Sequence, residues 1–213
     1  MNRDHIRHVI ERAGAILEGE FFFALKKKGN VANKYVNLDP FFTRPKDVEL
    51  LSIRLAKQFS DKEYSVIAAP AVGAIPLLFA CAQNHDKDIR TVWADKQKDD
   101  SFAFERMGFA NTVQGNSVLV VEDIGSTGGS AKAVCDLVKQ NGGTVVGVGF
   151  IWNRGGVTAE SMDVPCVRAL IDERIEMWKA EEHPQWGIWP LVADIGHPEH
   201  FPDYPGERIN LLS

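Results

Sequence analysis

Val118-Leu-Val-Val-Glu122-Asp123-Ile-Gly-Ser126-Thr127-Gly128-Gly129-Ser130 is the segment on which the fold turns. Its four leading apolar residues predict a strand buried on both faces, as parallel strands are. Two carboxylates stand where that strand should end, a Gly/Ser/Thr bend follows, and 131–140 carries a helical pattern. A helix start offers unpaired backbone N–H groups and a positive dipole end, so the bend suits a phosphate. The carboxylates are then left for sugar hydroxyls and the electron-poor carbon beside them. The segment thus points to a phosphorylated sugar, although a Gly-rich turn in an α/β protein is often only a turn.

Working outward, the periodicity predicts a helix over 4–18, with Ile6, Val9, Ile10, Ala13 and Leu17 on one face and Gly19 at its end. Short strands are expected at 21–25 and 35–38, separated by a Lys/Gly/Asn turn. An amphipathic helix follows over 45–59, with Pro45 near its start. From Tyr64 the pattern alternates regularly: strand 65–68, helix 75–83, strand 90–93, the quoted strand and helix, then strand 144–152. Such alternation predicts an α/β fold, a mostly parallel sheet with helices on both faces and ligands at the carboxyl edge of its strands. After residue 180 the chain reads as irregular and rich in Pro, Trp and His.

The loop after 65–68, Ala69-Pro70-Ala71-Val72-Gly73-Ala74, runs into a helix. Its small residues let backbone approach a ligand closely, and they serve tight strand–helix packing equally well. Paired with the 122–130 segment it becomes a seat for pyrophosphate. Two rival phosphate motifs are missing: no Gly-x4-Gly-Lys-Ser/Thr occurs, and no Gly-x-Gly-x-x-Gly follows a strand.

Composition sets the wider bounds. A chain of 213 residues with 45% hydrophobic and 25% charged residues reads as one soluble domain. At this length roughly 70% of the unfolded surface is buried, enough for a core without disulfides or metal. Cys81, Cys135 and Cys166 lie far apart in apolar contexts, which favours core packing in a reducing, cytoplasmic setting. The charged N-terminus lacks an apolar signal core, and no apolar run reaches membrane-spanning length. A net charge of −5 argues against a surface that coats nucleic acid. Lys26 to Lys28 and Lys96 to Lys98 are local candidates for an anion, with a solvated loop the plain alternative for each.

The order Glu122-Asp123 then Ser126-Thr127-Gly128-x-Ser130 resembles the signature by which type I phosphoribosyltransferases bind 5-phosphoribosyl 1-pyrophosphate (PRPP). Gly125 stands where an aliphatic residue is usual, which implies a more mobile loop. Further stretches run in the same order along nearly the whole chain. They are Gly19-Glu-Phe, Leu25-Lys26, Gly29, Tyr35-Val36-Asn37-x-Asp39, Ala69 to Pro76, Asp95-Lys96, Asn153-Arg154-Gly155-Gly156 and on to Glu160. Together they resemble the orotate phosphoribosyltransferases.

That resemblance implies a type I phosphoribosyltransferase fold in one domain, with its core at about 45–175 and a hood from about 19–42 and the C-terminal segment. It implies that Ser126, Thr127, Gly128, Gly129 and Ser130 cradle the 5′-phosphate. Glu122 and Asp123 hold the ribose hydroxyls, and Ala71, Val72 and Gly73 face pyrophosphate. Lys96 matches a lysine that contacts pyrophosphate, with Lys98 a second candidate at a spacing one residue short of a two-lysine pattern. Arg106 matches an arginine on a mobile catalytic loop that enters the partner subunit's site, which implies a homodimer. Lys26 lies beside the base. Arg154 matches the arginine that pairs with the orotate carboxylate, with Ser126 close to the base as well. Mg²⁺, held mainly by PRPP, is the implied cofactor. Read as residues alone, Arg154 also suits a strand-end cap and Lys96 a solvated lysine.

Two departures from the family pattern bear on function. The Lys26–Gly29 turn is one residue longer than usual and lacks the histidine often found there. In Glu181-Glu-His-Pro-Gln-Trp186, His183 and Trp186 replace two cysteines, so no metal or redox role survives for that pair. His183, His197 and His200 lack tight ligand spacing and read as loop or interface packing, and Trp178, Trp186 and Trp189 as cover for a core edge or dimer surface. The implied reaction is transfer of phosphoribosyl from PRPP to orotate. The rivals are the same chemistry on a purine or modified pyrimidine, and a PRPP-sensing regulator without turnover. The acidic balance and the lack of a helix-turn-helix extension disfavour a DNA-binding regulator.

Overall fold

The structure, a computed structural model, describes residues 3–212. Along the chain run α1 (Arg3–Glu11), β1 (Ile16–Ala24), β2 (Asn30–Val36), α2 (Asp39–Phe42), α3 (Pro45–Lys57), β3 (Val66–Pro70), α4 (Ile75–Gln83), β4 (Arg90–Lys96), β5 (Phe102–Ala103) and α5 (Phe109–Val113). They continue as β6 (Ser117–Gly125), α6 (Gly129–Gln140), β7 (Thr144–Asn153), α7 (Ala159–Met162), β8 (Val167–Asp172), β9 (Trp178–Lys179), β10 (Leu191–Gly196) and β11 (Arg208–Ile209). Two compact units result. The larger takes the chain up to Ala13 and Leu38–Arg174; the smaller takes Gly14–Asn37 and the chain from Ile175 onward.

The larger unit holds a six-stranded sheet in the order β5-β4-β3-β6-β7-β8. Every neighbouring pair is parallel except β4 with β5, a short antiparallel return. Side chains on β7 alternate between two helical layers. Val148 and Phe150 join Ala131, Val134, Cys135 and Val138 of α6 in one core cluster. Gly147 and Gly149 face the other way, where a Cβ would lie 2.9 Å from Phe59 and 3.2 Å from Leu55, respectively. The missing side chains make room for α3 to lie close to the strand. Cys81 and Cys135 are buried thiols, as their apolar contexts predict.

The smaller unit holds a five-stranded sheet in the order β11-β10-β1-β2-β9. Here the sequence expectations need correction. The helix expected over 4–18 ends at Glu11, and Leu17 instead lies opposite Tyr35 across β1 and β2. Gly14, at φ +74°, supplies the left-handed residue that stops the helix. Cross-strand bonding to β2 then outweighs the local helical period, because pairing context dominates strand formation. The tail expected to be irregular contributes β10, which runs parallel to β1 with Leu191 opposite Phe22. Trp178, Trp186 and Trp189 pack on the cluster of Phe22, Ala24, Val31, Ala180, Leu191 and Tyr204.

Candidate active site

β6 carries the acidic pair to the carboxyl edge of the larger sheet, and Ser126 to Gly128 turn the chain into α6. Gly128 sits at φ +75°, with Val157 and Met162 both 3.0 Å from where a Cβ would be. Both the left-handed conformation and the space demand glycine there. The Gly129 N–H donates to the Thr127 hydroxyl at 3.3 Å, and α6 opens with Lys132 N–H to Gly128 carbonyl at 2.8 Å. The bend therefore presents the first N–H groups of a 12-residue helix beside two hydroxyl side chains.

The two carboxylates are not equivalent. The Ser130 hydroxyl and the Ala131 N–H, both in the first turn of α6, favour the charged form of Glu122. Burial, and then the charge on Asp123, still push it up to about 8. Burial raises Asp123 as well, against the Ile124 N–H that donates to Oδ1 at 2.8 Å and against the Arg154 charge. Asp123 Oδ2 looks instead toward the 69–74 loop, lying 3.7 Å from where a Gly73 Cβ would be. A side chain at Gly73 would start to fill the space between the acidic pair and that loop.

The 69–74 loop leaves β3 with the Ala71 N–H on the Ala94 carbonyl at 2.8 Å, and its Ala71–Val72 peptide is cis. Val72 is exposed, so the loop presents backbone and one isopropyl group rather than charge. On the other side, Arg154 lies just past the end of β7 and donates from Nε to the Ser126 hydroxyl at 2.6 Å. Arg154 and Gly155 both donate backbone N–H to the Gly125 carbonyl at 2.9 Å. Gly125 itself is buried, with Phe150 and Asn153 3.2–3.3 Å from its would-be Cβ. An aliphatic residue there would have to push both aside. The expected looseness at Gly125 is thus met by a closely packed position with a doubly bonded carbonyl.

The structure gathers Ala71, Val72, Gly73, Glu122, Asp123, Ser126 to Ser130 and Arg154 along the carboxyl edge of β3, β6 and β7. The basic residues of the neighbouring segment stand more openly. Lys96 ends β4 and pairs with Asp100 at 2.5 Å; Lys98 is exposed in the turn before β5. Arg106 is exposed in the β5–α5 loop, with Nε 3.4 Å from Asp95. Lys26 lies in the smaller unit, in the β1–β2 turn.

A phosphoribosyl transferase domain model matches residues 43–179. Orotate phosphoribosyltransferase from Caldicellulosiruptor bescii is 32% identical over 184 residues, covering 86% of this chain and 92% of that relative. The chain belongs to the orotate phosphoribosyltransferase family. As a member it shares its fold with orotate phosphoribosyltransferase of Mycobacterium tuberculosis, at TM-score 0.64 and 24% identity over 79% of this chain and 94% of that one. Adenine phosphoribosyltransferase from Thermoanaerobacter pseudethanolicus has the same fold, at TM-score 0.60 and 21% identity over 80% and 99%. The fold therefore serves more than one base.

Within this family member two residues matter that sequence reasoning left without a role. Asn153, buried, closes the Arg154 loop from both sides: its Nδ2 donates to the Val157 carbonyl and its Oδ1 accepts the Val157 N–H, at 2.9 and 2.8 Å. Asp39 raises Asp123 by its charge. An Asn just before the arginine was the available sign for the first; for the second, only the folded arrangement brings the charges together. The acidic pair also fits a divalent cation held through a substrate. Both carboxylates sit above their ordinary range because burial disfavours their charge, a state that a cation or hydroxyl donors would relieve.

Proposed function

We propose that this protein transfers the 5-phosphoribosyl group from PRPP to orotate, forming orotidine 5′-monophosphate and pyrophosphate in pyrimidine biosynthesis. One observation carries the reading: the acidic pair, the helix-start bend, the small-residue loop and an arginine share one sheet edge. The bend with Ser126, Thr127 and Ser130 suits the 5′-phosphate, and Gly73 leaves room for pyrophosphate beside Asp123. The C1–oxygen bond to pyrophosphate breaks, the sugar becomes oxocarbenium-like, and a ring nitrogen of the base attacks the opposite face. The residues act by holding these groups in line and by stabilising charge as it develops.

Mg²⁺, bound through pyrophosphate and the ribose hydroxyls, would neutralise charge on the leaving group. Asp123 and Glu122 hold the ribose side, while Lys96 and, less directly, Lys98 serve the pyrophosphate. Arg154 matches a carboxylate in the bidentate way guanidinium favours. Lys26 is assigned to the base side from the sequence resemblance. Arg106 belongs to a loop that serves the partner subunit of a homodimer; the full exposure of Met107 beside it supports a role outside its own core. The residues described contain no helix long and apolar enough to cross a membrane, in keeping with a cytoplasmic enzyme.

Two other readings keep the same site: transfer to a purine or another pyrimidine, and PRPP sensing without turnover. A panel of free bases with PRPP and Mg²⁺, followed by pyrophosphate release, separates all three. Release with orotate alone is the expected result. Release only with a purine would replace the substrate, and binding of PRPP without release for any base would favour the sensor.

A further inference from the structure

We propose that His197, Glu199 and His200, in the smaller unit, form a binding site for one divalent transition-metal ion such as Zn²⁺. Their ligand atoms all lie within 4.8 Å of one another. His197 Nδ1 is 3.0 Å from Glu199 Oε1, and His200 Nε2 is 3.9 Å from the same oxygen. Tetrahedral zinc, with bonds of about 2.0–2.1 Å, sets its ligands roughly 3.3 Å apart, so these separations bracket what the ion needs. Two imidazoles and one carboxylate select a borderline transition ion over Mg²⁺, which demands oxygen ligands.

The backbone already fixes the turn that carries the ligands. His197 donates its N–H to the Ala24 carbonyl at 2.9 Å, and His200 bonds back to the His197 carbonyl at 3.0 Å through the turn Pro198–His200. The Nδ1 of His200 lies 3.0 Å from the Leu25 carbonyl, an acceptor only. Nδ1 must therefore carry the proton, which leaves the Nε2 lone pair for a metal. Such a carbonyl–histidine arrangement is how proteins fix the tautomer of a metal ligand. Glu199 is the ligand that counting histidines alone misses, and His183 is not part of the group: it sits among Phe22, Trp178 and Trp189.

One rearrangement is required. The His197 and His200 rings are stacked at 5.2 Å with planes 11° apart, and parallel rings cannot both aim lone pairs at one ion. His200 is fixed by Leu25, whereas the more exposed His197 turns out of the stack. Loading would then stiffen the 197–200 turn, which its hydrogen bonds already tie to the end of β1, with water completing the coordination.

The test uses the full-length protein, freed of metals and without PRPP. Zn²⁺ is titrated by calorimetry, and Co²⁺ by its visible absorption. One ion per chain is expected, with cobalt bands of a mixed nitrogen–oxygen site. His197→Asn and His200→Asn should each weaken Zn²⁺ by at least about tenfold, and Glu199→Gln by less. Asparagine at position 200 can still donate to the Leu25 carbonyl; should that variant fail to fold, His197→Asn decides alone. A His5→Asn, His8→Asn double variant should bind as the parent does. Affinity for Mg²⁺ equal to that for Zn²⁺, binding untouched by His197→Asn, or binding lost in the His5, His8 variant would each overturn the site.

Discussion

In the larger unit each strand of the parallel sheet lies beside strands that are near in sequence or one crossover away; in the smaller unit β1 pairs with the adjacent β2 on one side and with the distant β10 on the other. The two regions also use their residues differently. The larger unit builds much of its candidate site from backbone: a helix start, a small-residue loop, and glycines where another segment passes close. The smaller unit is held by rings, with Phe22 against His183, Trp186 and Trp189, and Trp186 against Phe201 and Tyr204. Backbone-built sites tolerate little added volume. Ring-built cores should instead be sensitive to lost volume, because each aromatic buries a large area and contacts several partners.

The largest expected effect therefore falls in the smaller unit. Phe22→Ala removes a fully buried ring from the centre of its cluster and should cost about 3–5 kcal/mol of stability, read from urea unfolding. A cost under 1 kcal/mol would mean that the rings are not what holds this sheet. Gly155→Ala asks the converse question of the larger unit. Its Cβ would fall 1.5 Å from the Ser126 carbonyl oxygen, so the 126–128 bend or the Arg154 loop must move. A loss of about 1–3 kcal/mol is expected, together with a deeper fall in pyrophosphate release, since the displaced atoms belong to the site. Normal turnover would show that the close approach of the two loops is dispensable.

Arg154→Ala sharpens the comparison within the site. Removing a charge-assisted bond of about 1.5–3 kcal/mol should raise KM for orotate on the order of 10–100-fold. Because Arg154 also holds the Ser126 hydroxyl, some weakening of PRPP is expected, but a smaller one. Equal losses for both ligands would overturn the assignment of this arginine to the base side.

The last test concerns Glu122 and pH. Its ordinary value is 4.5, and in the folded protein it is pushed up to about 8. Between those values the native state binds more protons than the unfolded chain, so stability is fully present below about 4.5 and is lost as pH rises through 8. Glu122→Gln removes that slope. Unfolding midpoints at acid and mildly alkaline pH should differ less in the variant than in the parent; an unchanged slope would place Glu122 in its ordinary range.

The acidic pair, the bend and the two flanking loops were legible because each follows a strand with an uninterrupted apolar run. Strands β3, β6 and β7 are buried on both faces, so burial writes itself directly into local composition. The hydroxyl bond from Arg154 to Ser126, the Asn153 clasp and the split roles of Glu122 and Asp123 were not legible. Each depends on a distance between residues from different elements. The same limit explains β1: Leu17 fits the helical period that starts at residue 4, and only pairing with Tyr35 of β2 decides against it.

What the amino-acid order determined by itself is the alternation of strands and helices, the residue types along the sheet's carboxyl edge and the family, since those rest on residue types at short spacing. Tertiary structure decided that Glu122 stands beside the first turn of α6 while Asp123 faces the small-residue loop. It also decided that a tail of Pro, Trp and His completes a sheet, and that a glutamate joins two histidines there. Those outcomes are set by desolvation, charge proximity and packing between segments far apart in the chain, which no local pattern encodes.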